Sequence, residues 1–328
     1  MNHTADAVVI GGGIMGASVA HFLAKKGAGK VTLIEKRSLA AVSTGHSAAV
    51  IRTFYSNPLT ITLARRSLDM FENDRDMLGG DCGFKRIGYM CVFNDHSAAP
   101  SRHVLGLEKA QGVDAREISP SKIQDLVPPV HVDDLVGAIY EPHSGYVDPT
   151  KTTQVLCHSA KEYGLDIHEG TGVIGIKTEG NRVAAVNTSE GTIATRVVVN
   201  AAGPWGRAMG LSVGLNYSLR WSRESDLVLD RSEKVGDIPL ISDPTSRTYM
   251  RSNGKNEILG GRGFPKELEP MDIDNYDPNL DPNTRQRIEQ GLFRRIPALQ
   301  QGRYVRGWAS IYAITEDRKS TRPNSSHW

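Results

Sequence analysis

Three glycines and a carboxylate carry the first chemical reading of this sequence. Gly11, Gly13 and Gly16 are spaced G-x-G-x-x-G directly after the apolar run Ala7–Ile10. Each has a physical task. Gly11 permits a tight turn out of a strand, Gly13 lets the backbone approach a pyrophosphate, and Gly16 lets the following helix pack closely on that strand. The amides and dipole of the helix start then favour phosphate. Glu35 closes the next apolar run, Val31–Ile34, where a carboxylate accepts hydrogen bonds from an adenosine ribose. The motif by itself does not separate FAD from NAD. Further on, Ser43, Thr44, Ser47 and Ala48 belong to a segment of small and hydroxyl residues, STGHSAAVIR. Such a segment can lie against a flat cofactor or its phosphates, or be a flexible loop.

The elements that must position these groups follow from local pattern. A helix is predicted over 14–26, with Met15, Val19, Phe22 and Leu23 on one face and Gly27 as its C-terminal stop. Strand, turn, helix and strand together make a βαβ unit. Asn57-Pro58 and Asp148-Pro149 read as cap and first-turn pairs opening two more helices. Strands are expected at 84–93 and 136–140, then at 171–178, 182–188 and 192–199. Turn-rich breaks between the last three make a β-meander. From 219 to 309 the pattern is short strands with a polar loop at 265–283.

Bulk properties set the class. The chain of 328 residues is 39% hydrophobic and 23% charged, an ordinary globular composition with room for two domains. A net charge of +2 gives no field that argues for nucleic acid or an anionic membrane. No run approaches the roughly 18 apolar residues of a membrane span, and the N-terminus lacks the pattern of a secretory signal. Cys82, Cys91 and Cys157 are odd in number and show no CxxC spacing, which suits a reducing compartment and the cytoplasm. The ten histidines are dispersed, and no metal site is expected.

The segments GGGIMGASVAHFLAKKG, STGHSAAVIRTFYSNP, GGDCGFKRIGYM, EPHSGYVDP and VVVNAAGPW, in this order, resemble the FAD-dependent amine oxidoreductases. That group holds sarcosine oxidase, glycine oxidase, D-amino-acid oxidase and proline or dimethylglycine dehydrogenase relatives. The resemblance implies an α/β fold: a Rossmann-like FAD-binding domain with a β-meander, plus a substrate domain with a largely antiparallel sheet. The FAD-binding domain would be discontinuous over 1–85, 147–218 and 310–317, and the substrate domain would use 86–146 and 219–309. It implies FAD rather than NAD. Gly11, Gly13, Ile14, Met15 and Gly16 would meet the pyrophosphate, with Glu35 on the ribose and Lys36 beside the adenosine. Ser43, Thr44, Ser47 and Ala48 would line phosphates and flavin edge, Val173 would reach adenine through its backbone, and Ala201, Gly203 and Trp205 would pass the cofactor. Arg52 stands where sarcosine oxidases hold a substrate carboxylate, and its planar fork suits that task as a lysine would not. Tyr249 and Arg251 are weaker candidates for the floor of the substrate site.

The reaction implied is oxidation of the C–N bond of a small or N-methyl amino acid. A hydride equivalent passes to flavin N5, and oxygen or an electron carrier acts as acceptor. The alternatives are a flavin dehydrogenase acting on a hydroxy acid, a non-catalytic FAD-binding fragment, or a β-subunit that works only beside partner subunits. The covalent-flavin cysteine of the family would fall at Ser310, so that linkage is absent; a histidine linkage in other relatives would fall near His46, which reads more simply as a loop residue, and non-covalent FAD is expected. After Thr315-Glu316-Asp317 the relatives continue while this chain turns to RKSTRPNSSHW, so 318–328 reads as a non-native tail and the chain as C-terminally truncated.

Overall fold

The computed structural model describes residues 2–231, 235–263 and 268–315. Glu316, Asp317 and the 318–328 segment lie outside the described residues. The N-terminal layers form around a parallel sheet ordered Asp166–His168, Val31–Ile34, Ala7–Ile10 and Val198–Asn200. Its two central strands are buried at every position because both faces are covered. On one face Val9, Val31 and Leu33 pack against the helices Ile14–Lys25 and Pro149–Lys161. On the other, Val8, Ile10 and Ile34 meet Val186 and Ile193 of the meander Val173–Glu179, Arg182–Thr188 and Gly191–Ala194.

Two sequence expectations change here. The first helix buries Gly16, Ala17, Ala20, His21 and Ala24 rather than the large apolar residues. Val19, Phe22 and Leu23 pack only at the rim and Met15 is 69% exposed. Close approach of helix to sheet selects small side chains for the contact. The strand expected over 192–199 is two strands: Gly191–Ala194 stays in the meander, and Val198–Asn200 crosses to the parallel sheet. Asn57 and Asp148 cap their helices as read, each side chain accepting from first-turn amides.

The second body is an eight-stranded sheet, antiparallel except where Leu240–Asp243 runs parallel to Tyr89–Phe93. One face, with Met90, Leu227, Met250 and Ile258, packs on the helix Pro282–Arg295 through Ile288 and Leu292. A Cβ at Gly260 would stand 2.6 Å from a Leu292 methyl, so the helix rests directly on the sheet. The opposite face, with Tyr249, Val228 and Trp308, meets Ala48 and Val50. The strand Tyr304–Thr315 pairs with Leu219–Asp230, with one register shift between Val228 and Leu229, and residues 310–315 lie within this sheet. A small sheet of Val50–Ile51, Lys85–Arg86 and Gly145–Tyr146 gathers the places where the chain passes between the two bodies.

Behind the sheet lies an ionic knot. Arg295 is fully buried; its Nε donates to Asp243 Oδ2 at 2.7 Å and its Nη1 to Asp134 Oδ1 at 2.9 Å. Asp243 is itself fully buried. Removing one partner of such a pair strands the other's charge in a dry interior, so Arg295→Met should lower stability by about 3–5 kcal/mol. A thermal melt of Arg295→Met against the Arg295→Met/Asp243→Asn double variant checks this: the double should recover part of the lost melting temperature.

Candidate functional site

The first helix starts at Ile14 on an N-cap glycine, Gly13, without a capping side chain or a first-turn acid among the described residues. Its positive end therefore faces outward for an anion. Gly11 has φ of +109°, and a Cβ there would stand 2.4 Å from the Ala201 carbonyl oxygen. A Cβ at Gly16 would stand 1.8 Å from the Gly11 carbonyl oxygen. The carboxylate of Glu35 accepts the Gly12 amide at 2.6 Å and the Arg37 amide at 2.8 Å, which orients it at the strand end. Thr171 donates its amide to the Glu35 carbonyl at 2.9 Å, bringing the strand that begins at Val173 alongside. The Ala201 amide reaches Ile10 O at 2.9 Å, Gly203 turns the chain with φ of +52°, and the Trp205 indole donates to Asp274 at 2.7 Å. Lys36 Nζ lies 3.2 Å from the centroid of the Trp205 ring.

The loop over 40–49 is pinned from both sides. Ala40 donates its amide to Gly12 O at 2.9 Å, and Thr44 Oγ1 accepts the Ile14 amide at 3.1 Å. From the large sheet, Ile311 O accepts Ser43 Oγ at 2.7 Å and Trp308 Nε1 donates to His46 O at 2.9 Å. Ser47 Oγ accepts the Ala49 amide, which helps hold Ala49 at φ of +48°. Arg251 Nε donates to Ala48 O at 3.2 Å, while its Nη1 donates to Ser252 O and Asn253 Oδ1 and its guanidinium lies 3.7 Å from the Tyr146 ring centroid. Arg251 is thus a brace between loop and sheet, its donors bonded to Ala48, Ser252 and Asn253. Tyr249, two residues earlier on the same face, donates its hydroxyl to Asp226. Burial, then the Asp226 charge, raises its pKa well above the usual phenol value.

Arg52 follows at the end of Val50–Ile51. Its half-buried guanidinium donates to Phe54 O and lies 4.3 Å from the Tyr55 ring and 5.5 Å from the Tyr89 ring. Burial opposes its charge, but Tyr55, Tyr89 and Glu141 outweigh that and raise its pKa. No carboxylate pairs with it among the described residues.

The glycine-rich turn, the Glu35 carboxylate at its strand end and Arg52 lie on one chain, and a profile of the family described as FAD dependent oxidoreductase matches residues 6–324. The chain belongs to the FAD-dependent oxidoreductase family. It is 30% identical to mitochondrial sarcosine dehydrogenase of Mus musculus over 310 residues, 91% of this chain and 34% of that protein. Mouse mitochondrial pyruvate dehydrogenase phosphatase regulatory subunit is 30% identical over 316 residues, 90% of this chain and 35% of that protein. The chain therefore spans about a third of the length of the curated relatives it matches. Among solved structures, L-proline dehydrogenase from P. horikoshii superposes with a TM-score of 0.88 at 27% identity, covering 97% of this chain and 83% of that one.

The cofactor of this FAD-dependent oxidoreductase is FAD. At Gly11 and Gly16 a Cβ would meet backbone oxygen, so glycine there lets the first helix and the strand ends close on one another, and Gly13 opens the helix without a capping side chain of its own. Ser310 Oγ, on the sheet face that carries Trp308, is buried and has no partner among the described residues.

The residues that sequence reasoning missed sit behind Arg52. Thr53 donates its amide to Glu141 at 2.8 Å, and its hydroxyl lies 2.8 Å from Glu141 and 3.0 Å from Glu108. Ser144 also donates to Glu141. Both carboxyl groups are buried, and Glu108 is pushed up to about 9 by burial and then by Glu141. Burial therefore favours the protonated form of Glu108, while two hydroxyl groups and an amide hold Glu141 Oε2. Glu141 was legible inside EPHSGYVDP without a role. Glu108 gave no signal, because the helix Asp95–Ala110 that carries it was not read.

Gly16→Ala should abolish FAD retention, since a methyl group cannot share space with the Gly11 carbonyl; the flavin-to-protein absorbance ratio after purification checks it. Glu108 gives a pH expectation. Its folded pKa lies above its ordinary 4.5, so its protonated form stabilises the fold at low pH and that contribution falls as pH rises from 4.5 to about 9. Glu108→Gln keeps the hydrogen bond without the titration. The variant should gain on the parent by about 1.4 kcal/mol per pH unit across that window. Melting temperatures of both proteins from pH 5 to pH 9, at roughly unit steps, read the difference; parallel curves would show that Glu108 is not the buried acid.

Proposed function

We propose that this protein oxidises the C–N bond of a small amino acid or N-methyl amino acid. The observation that carries the reading is Arg52: a half-buried guanidinium, kept charged, without a carboxylate partner among the described residues, at the join of cofactor loop and large sheet. A buried charge of this kind is receptive to a ligand carboxylate, for which its planar donors are shaped. Bound FAD supplies the acceptor for a hydride equivalent from the carbon next to nitrogen. The chain's own residues orient the substrate. Arg52 holds the carboxylate, Tyr55 and Tyr89 wall the guanidinium, and the Glu108–Glu141 pair fixes Thr53 and so the direction in which Arg52 leaves the backbone. The Tyr249 hydroxyl, bonded to Asp226, marks the sheet face opposite. The amine must be neutral as it reacts, because its lone pair forms the imine that water then hydrolyses.

A second reading has one observation in its favour. A relative of equal identity is named as a regulatory subunit, which supports a flavoprotein that binds FAD without turning over an amine. The three cysteines are buried and free, which supports a reducing compartment such as the cytoplasm. No helix among the described residues is long and apolar enough to cross a membrane.

Visible spectra recorded anaerobically with sarcosine, dimethylglycine, proline or D-amino acids test the proposal. Bleaching of the flavin bands by one of these amines supports it, and re-oxidation on admitting air marks oxygen rather than a carrier as acceptor. Retained flavin that no amine bleaches supports the regulatory reading. Arg52→Lys should raise the amine concentration for half-bleaching about 10- to 100-fold, the worth of a lost charge-assisted bidentate contact. An unchanged half-bleaching concentration would remove Arg52 from substrate binding.

A further inference from the structure

We propose that His3, Asp166 and His168 form a binding site for a divalent transition-metal ion, with zinc the cation its donors suit, pinning the N-terminal strand to the parallel sheet. The three come from two different sheets. Asn2–Thr4 pairs with Gly191–Ala194 of the meander, while Asp166–His168 is the outermost strand of the parallel sheet. Asp166 and His168 are two residues apart on a strand and share a face. Their side chains converge: His168 Nε2 is 3.0 Å and His3 Nε2 is 3.9 Å from the same oxygen, Asp166 Oδ2. One donor atom from each of the three residues lies within 4.8 Å of the others. Zinc bonds of 2.0–2.2 Å in a tetrahedron set ligand atoms roughly 3.3 Å apart, a spacing the two measured distances bracket.

Two polar atoms on these two sheets are orphaned. His3 Nε2 is buried without a hydrogen-bond partner, and so is the hydroxyl of Thr32. Thr32 is the register partner of Asp166, so its side chain leaves the same face of the sheet. Buried polar atoms are rarely left unmatched. A metal ion gives the imidazole nitrogen its partner, and a water completing the tetrahedron gives Thr32 one. Two imidazoles and one carboxylate select first-row transition metals over calcium or magnesium, which take oxygen shells. Lys30, whose charge acts on the His3 ring, opposes a cation here, and the Asp166 carboxylate offsets it. The site is joined to the cofactor cleft, because the His168 carbonyl accepts the amide of Glu35 at 2.9 Å.

The test uses the flavin-loaded full chain, stripped with chelator and titrated with CoCl2, then with ZnCl2. Equimolar binding at micromolar cobalt, a tetrahedral cobalt band to the red of the flavin bands, and its loss on adding zinc support the site. His168→Gln and His3→Gln should each abolish equimolar binding while retaining flavin and the metal-free melting temperature, and Thr32→Val should leave the stoichiometry intact. Absence of equimolar cobalt binding overturns the proposal. So does equimolar binding that survives in both histidine variants, because the metal then sits on other histidines. Should His3→Gln fail to fold, His168→Gln with Asp166→Asn decides the matter alone.

Discussion

At position 16 there is room for a hydrogen and nothing larger, and the cleft is laid out around that contact. Because the first helix rests on the Gly11 carbonyl, its opening turn stands over the end of the strand Ala7–Ile10. The neighbouring strand ends there too, and Glu35 can take the Gly12 amide. The third strand delivers Ala201 against Gly11 from the other side. Each of these approaches is made backbone to backbone, so a dipole, a carboxylate and a turn converge within a space that a single methyl group would disrupt. The same closeness decides which helix face is buried. Alanines fit between helix and sheet, and the bulky residues are displaced to the rim.

The loop over 40–49 passes this arrangement on to the second body. It bonds to the glycine-rich turn through Ala40 and Thr44 and to the large sheet through Ser43, His46 and Ala48. Its position is therefore set by two rigid sheets rather than by its own sequence. Arg52 follows the short strand into which this loop runs, and the buried acids behind Thr53 hold that point from the far side. The Arg52 guanidinium is thus located by hydrogen bonds that its neighbour Thr53 makes to buried acids.

How much of this the sequence disclosed varied with the range of the interactions involved. The βαβ unit, Glu35, the capped helices at Asn57 and Asp148 and the meander depend on neighbours in the chain, and their residue types declare them. The helix Asp95–Ala110 carries Pro100 in its interior, and Pro282–Arg295 is strongly polar on its outer side. Both lack a clean apolar stripe, so neither was read. Arg251 stands in the sequence only as a weaker candidate for the floor of the substrate site. Only the fold shows its donors committed to Ala48, Ser252 and Asn253. The Glu108–Glu141 pair and the His3–Asp166–His168 cluster join residues far apart in sequence, which no local pattern encodes.

The parallel sheet also sets an order of events during synthesis. Ala7–Ile10 receives its second neighbour only when Val198–Asn200 has been made, and Val31–Ile34 waits for Asp166–His168. At ribosomal rates of about 5–20 residues per second, the first strand stays open on one side for roughly 10–40 s. Throughout that interval a fully apolar strand presents unpaired amides and carbonyls along an edge. The nascent chain is therefore most exposed to chaperones, and to wrong partners, before the meander closes over it.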